Sequence, residues 1–132
     1  MELEKIFKNL IFLDFAILVL IVISSMYEPN DISQIKHQLE KSFISNYSNL
    51  TNIISLVLFF LYLISLNLLY RFIMIGKQLY LFLIFLGLIF NFLNGSVIYS
   101  SYSGLFDQLG GITSGAILIL LFFSPIKQSF KK

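Results

Sequence analysis

The sequence predicts an all-α integral membrane protein: a four-helix bundle with an amphipathic helix in its first external loop. Three observations carry this reading. Of 132 residues, 58% are hydrophobic and 12% charged, whereas soluble domains are about 45 to 50% apolar. The mean hydropathy is +0.88, more than a water-soluble core of this size can hide. The charges are also gathered into short clusters that leave four long charge-poor runs.

The first run lies between Lys8 and Glu28, residues 9–27, with Asp14 its only charge. At 1.5 Å per residue it reaches about 28 Å, one hydrocarbon thickness. Lysines ahead of an apolar run also open secretory signals. This run exceeds an h-region of about 7 to 15 residues and no A-x-A-like site follows it, so a retained span is expected. An external segment, 28–51, comes next. Pro29-Asn30-Asp31 is a helix-start signal, Asp31 and Gln34 have capping-box spacing, and Ile32, Ile35, Leu39 and Phe43 recur at helical intervals. This predicts an amphipathic helix over 32–45 with Lys36, His37, Glu40 and Lys41 toward water. Asn46-Tyr47-Ser48 and Asn49-Leu50-Thr51 match the glycosylation sequon, a short pattern that means nothing in a bacterium.

Spans two and three are expected over 52–70 and 79–99, joined by RFIMIGKQ, and span four over 110–123, between Asp107 and Pro125. The whole chain, 1–132, then reads as one transmembrane domain. Threaded this way, Lys5, Lys8, Arg71, Lys77, Lys127, Lys131 and Lys132 share one side, and only Lys36 and Lys41 lie on the other. By the positive-inside rule both termini face the cytoplasm of a multi-pass inner-membrane protein. Tyr27, Tyr47, Tyr70, Tyr80, Tyr99 and Tyr102 fall at expected span ends, as an aromatic belt does. Tyr62 is the mid-span exception and requires a buried acceptor.

Few polar groups lie within the spans. Asp14 sits about 6 Å to the cytoplasmic side of the centre of span one. An ionised Asp at a helix centre costs about 2.5 to 3.5 kcal/mol, so it must face protein, pair with a cation or hold its proton. Asn67, Arg71 and Lys77 are its expected neighbours at that depth. Its role is either a packing carboxylate or a proton- or ion-pathway carboxylate. A second stripe comprises Gly87, Asn91, Asn94 and Gly95 in span three, with Gly111 and Gly115 beside Ser114 in span four. Small residues let helices approach and amides bond across the gap. Helix packing is the expected role of Gly87, Gly95, Gly111 and Gly115. A polar pocket lined by Asn91, Asn94, Ser24 and Ser25 is the alternative.

Catalytic patterns are missing from the sequence. It has no Cys and one His, which removes disulfides, thiolate nucleophiles and His-rich metal sites. It contains no G-x-S-x-G and no phosphate loop. No enzyme, metal or cofactor is therefore expected. A formal charge of +2 is ordinary beside an anionic membrane face and gives no reason to expect nucleic acid. The partners expected are the lipid bilayer and a second copy or a larger membrane complex.

The segments LIFLDFAILV, IGKQLYLFLIFLGL and GAILILLFFSPIKQSF, with the terminal S-P-x-K-x-x-F, resemble a widespread set of small, uncharacterised four-span bacterial inner-membrane proteins. The resemblance covers most of the chain and implies topology without activity. Three roles fit the sequence. The first is a non-catalytic protein working by helix–helix association with itself or a membrane complex. The second is a small proton-coupled transporter or channel using Asp14. The third is an immunity protein against a pore-forming bacteriocin.

Overall fold

A computed structural model describes residues 2–27, 48–94 and 100–130. The expected amphipathic helix over 32–45, His37, Gly95 and the side chains of Ser25, Asn91, Asn94 and the sequon matches lie outside the described residues. Among the described residues the chain is helical: α1 (Glu2–Met26), α2 (Ser48–Tyr70), α3 (Met74–Asn94) and α4 (Ser101–Phe123), then a single 3₁₀ turn, Pro125–Gln128.

Helices α1, α2 and α4 are long and apolar enough to cross a membrane, and the apolar stretch of α3, Met74–Phe90, is shorter. At most 22% of any of the three crossing stretches is buried inside the molecule. Large side chains such as Phe12, Ile112 and Phe123 point outward instead. So much contiguous apolar surface is untenable in water and natural in lipid, which makes this a membrane protein.

All four helices start earlier than expected, α2 at Ser48 and α3 at Met74 inside RFIMIGKQ, and the shifts are largest in α1 and α4. Helix α1 begins at Glu2, because the charged first turns continue the same helix beyond the hydrocarbon length. Helix α4 begins at Ser101, not Gly110. The Ser100 side chain caps it by accepting from the Ser103 amide at 3.2 Å. Capping satisfies a free amide and favours a start there. Asp107, which lay outside the expected span, is therefore helical together with the Gly110-Gly111 pair.

Packing is pairwise. Helix α1 lies along α4, and α2 lies along α3, with a lighter contact between α1 and α2. The buried core occupies one end of these pairs. It joins Phe7 and Ile11 of α1, Leu66 and Leu69 of α2, Tyr80 of α3, Ile117 and Leu121 of α4, and Ile126 and Phe130 beyond it. Toward the other end the pairs separate.

The closed end is held by an aromatic clasp. The rings of Phe7 and Phe72 stack at 5.7 Å, and Phe130 meets them edge-on at 6.1 and 5.4 Å. Lys8 Nζ lies over the Tyr70 and Phe72 rings at 5.0 and 5.4 Å. Ser129 Oγ donates to Glu4 Oε1 at 2.7 Å. The start of α1, the α2–α3 turn and the end of the described chain thus meet at one place. The Ser-Pro that follows α4 makes this return: Ser124 accepts from the Ile126 amide, and Pro125 opens the 3₁₀ turn that buries Ile126.

Helix α2 ends in a Schellman turn. The Ile73 amide donates to the Leu68 carbonyl at 3.0 Å and the Phe72 amide to Leu69 at 2.9 Å. Phe72 takes the left-handed position, φ 56°, where Gly is usual. This costs about 1 to 2 kcal/mol, offset by its place in the clasp. Gly76 then lets α3 start hard against α2. A Cβ there would sit 2.5 Å from Leu68 Cβ and 2.9 Å from the Leu69 nitrogen.

Candidate functional site

Where the two helix pairs separate, they enclose a cleft of about 560 Å³. All four helices line it. Ile17, Leu18 and Ile21 come from α1, Phe59 and Tyr62 from α2, Leu83, Ile84 and Gly87 from α3, and Gly111, Ser114 and Gly115 from α4. Asp14 forms its floor and Asp107 lies at the opposite end, about 10 Å away along α4 by helical rise.

Asp14 is only 3% exposed, and hydroxyls surround its carboxylate. Tyr62 Oη of α2 donates to Oδ2 at 2.5 Å. Thr113 Oγ1 and Ser114 Oγ of α4 donate to Oδ1 at 2.8 and 3.2 Å. The Thr113 oxygen also lies 3.0 and 3.2 Å from the Gly110 and Leu109 carbonyls, which fixes its rotamer. Helix α3 contributes Tyr80, fully buried, its ring 5.6 Å from that of Tyr62. The Tyr80 hydroxyl is buried without a hydrogen-bond partner among the described residues.

These hydroxyls take the place of water around the carboxylate. Hydrogen bonds within membranes are worth about 0.6 kcal/mol on average and about 1.7 at most. Three of them therefore approach the roughly 2.5 to 3.5 kcal/mol cost of an ionised Asp at a helix centre. A fixed counter-charge for Asp14 is missing from the cleft, since no Lys, Arg or His lines it among the described residues.

The neighbours expected for Asp14 lie elsewhere. Asn67 and Arg71 are exposed. Lys77 donates to the Leu121 carbonyl at 3.1 Å and lies 4.3 Å over the Phe122 ring. The buried acceptor that Tyr62 needs is Asp14. Thr113 carried no signal in the sequence, since a Thr inside an apolar run is usually a back-bonded side chain.

The described glycines of the stripe meet open space within the chain. A Cβ added at Gly87, Gly111 or Gly115 would meet nothing within 4 Å, and α3 and α4 do not pack as a pair. Missing side chains here leave room beside the cleft. Gly110 is in ordinary contact distance of Ile17 and Ile21, so it serves the α1–α4 pair. Ser24, assigned to the alternative pocket, donates to the Ile21 carbonyl at 2.9 Å and lines a separate cavity with Tyr27 and Ser100.

The chain matches no protein family, no curated protein and no solved structure.

Proposed function

We propose that this is a non-catalytic, four-span inner-membrane protein of the transporter class, which takes up a cationic species at Asp14 through the cleft. One observation carries the reading: a buried carboxylate, solvated by hydroxyls from α2 and α4, floors a cavity that all four described helices line and that no Lys, Arg or His enters among the described residues. A merely structural carboxylate needs its hydrogen bonds but no adjoining space. The titratable groups facing Asp14 are Tyr62 from α2 and Tyr80 from α3, with Asp107 of α4 at the far end.

Four crossings are supported by the length of α3, whose 21 residues span about 31 Å. They are also supported by the contact of Ser129 with Glu4, since an even count returns both chain ends to one face. The lysine and arginine distribution favours the cytoplasm as that face. Reporter fusions at both ends are expected to read cytoplasmic, and opposite readings would remove the four-span threading.

The function is tested in proteoliposomes with a lumenal pH dye under an imposed gradient. The intact protein is expected to carry proton-dependent flux, and Asp14→Asn to abolish it. Flux equal to that of protein-free vesicles, or unchanged by Asp14→Asn, rejects the reading.

A second reading, association with another copy or a membrane complex, is favoured by the open faces of Gly87, Gly111 and Gly115, which admit a further helix. Copurification in mild detergent at fixed stoichiometry is its expected sign, and a clean monomer counts against it.

A further inference from the structure

The shape and chemistry of the cleft also restrict what enters it. We infer that its ligand is a hydrophobic amine: a monocation with an apolar body that carries at least one N–H⁺ donor to Asp14. This rests on the reading of the cleft as an uptake site and names its substrate class.

Charge sets the first restriction. The cleft holds carboxylates at both ends, Asp14 and Asp107, and no basic side chain among the described residues. An anion would meet repulsion with nothing to offset it, and a neutral molecule would leave the charge at Asp14 unanswered.

The walls set the second. Apart from the Asp14 cluster they are almost wholly Ile, Leu, Phe and Gly. A bare inorganic cation needs several oxygen ligands to replace its water, and the three hydroxyls here already direct their protons at Asp14. An apolar body suits these walls, and the aromatic rings of Phe59 and Tyr62 among the lining residues can attract a positive charge. The volume, about 560 Å³, lies within the range of roughly 300 to 1,000 Å³ that small organic ligands occupy. Gly87, Gly111 and Gly115 keep that room free.

The acceptor count sets the third. A carboxylate offers about four lone-pair positions. Oδ1 receives Thr113 and Ser114, and Oδ2 receives Tyr62 alone. Among the described residues one acceptor position on Oδ2 is unused, and this is the position the inferred ligand would take. A protonated amine fills it with a charge-assisted hydrogen bond, whereas a quaternary ammonium has no N–H to give.

The test is calorimetric titration of the full chain in lipid nanodiscs, with empty discs subtracted. Three probes share one body: 4-phenylbutylamine, 4-phenylbutanol and 4-phenylbutyltrimethylammonium. Saturable binding of the amine is expected, at least tenfold tighter than the alcohol and several-fold tighter than the quaternary ion. Asp14→Asn is expected to weaken the amine at least tenfold. Gly115→Leu, which adds bulk to the cleft at a position whose Cβ meets nothing within 4 Å, is expected to do the same at an unchanged unfolding midpoint, so the result does not depend on Asp14→Asn folding. Equal affinity for alcohol and amine, equal affinity for the quaternary ion, or amine binding untouched by Gly115→Leu would each overturn the inference. Loss of proton flux in Asp14→Asn without any amine binding would leave the uptake site standing and remove this ligand class alone.

Discussion

Tyr62 and Asp14, 48 residues apart, are joined by a direct hydrogen bond from the phenol to Oδ2, which ties α2 to α1 at the level where the tight core gives way to the cleft. Hydrogen bonds to charged groups contribute about 1.5 to 3 kcal/mol, with membrane values toward the lower end. Tyr62→Phe is therefore expected to lower stability by about 1 to 2 kcal/mol, read by reversible unfolding in mixed micelles. In an Asp14→Asn background the same change is expected to cost less, because the pair acts as a unit. Purely additive effects would show that the bond contributes nothing.

Thr113 offers a cleaner deletion. It is 7% exposed, and its hydroxyl serves Asp14 from α4. Val has the same shape without the donor. Thr113→Val is expected to cost about 1 to 3 kcal/mol because it leaves a buried acceptor short, while Thr113→Ser, which keeps the donor, costs less. Equal loss in both variants would point to packing as the cause.

Gly76 and Gly115 make opposite forecasts for the same substitution. At Gly76 a methyl collides with Leu68 and the backbone of Leu69, and overpacking of this kind costs about 1 to 3 kcal/mol. At Gly115 it meets open space, and Ala is favoured over Gly in a helix by about 1 kcal/mol. Gly76→Ala is expected to lower the unfolding midpoint and Gly115→Ala to hold or raise it. The reverse order would refute the assignment of close contact to the α2–α3 hairpin and of free space to α4.

These contrasts also mark what the linear pattern reveals. The helices were legible because hydropathy and charge spacing act locally, and Tyr62 announced a partner because a mid-span phenol is expensive alone. The start of α4 was not legible: the charge of Asp107 and the paired glycines after it set the expected start at Gly110, and only the Ser100–Ser103 cap signals otherwise. The glycine stripe is legible as missing side chains, but spacing does not tell whether a helix or a cavity fills the gap. Gly76 carried no signal within RFIMIGKQ, because its constraint comes from Leu68 on another helix. Thr113 and Tyr80 join Asp14 through tertiary packing alone.

The clasp at the closed end supports a last expectation. Phe130 is 9% exposed and touches both Phe7 and Phe72 through its ring, so it fastens the end of the chain to the start of α1. Removing a buried Phe costs about 3 to 5 kcal/mol when the site cannot collapse. Near a bundle end, where neighbours relax, about 2 to 3 kcal/mol is expected for Phe130→Ala. Phe72→Gly combines two opposed effects. It relieves the left-handed backbone by about 1 kcal/mol and forfeits two ring contacts, so a net loss smaller than that of Phe130→Ala is expected. Phe7→Ala combined with Phe130→Ala should cost less than the two singles together, since each ring loses its partner only once. Because the cleft lies at the other end of the pairs, limited proteolysis of these variants is expected to release the C-terminal turn first, with the Asp14 cluster still protected. Simultaneous exposure of both would show that clasp and cleft form one cooperative unit.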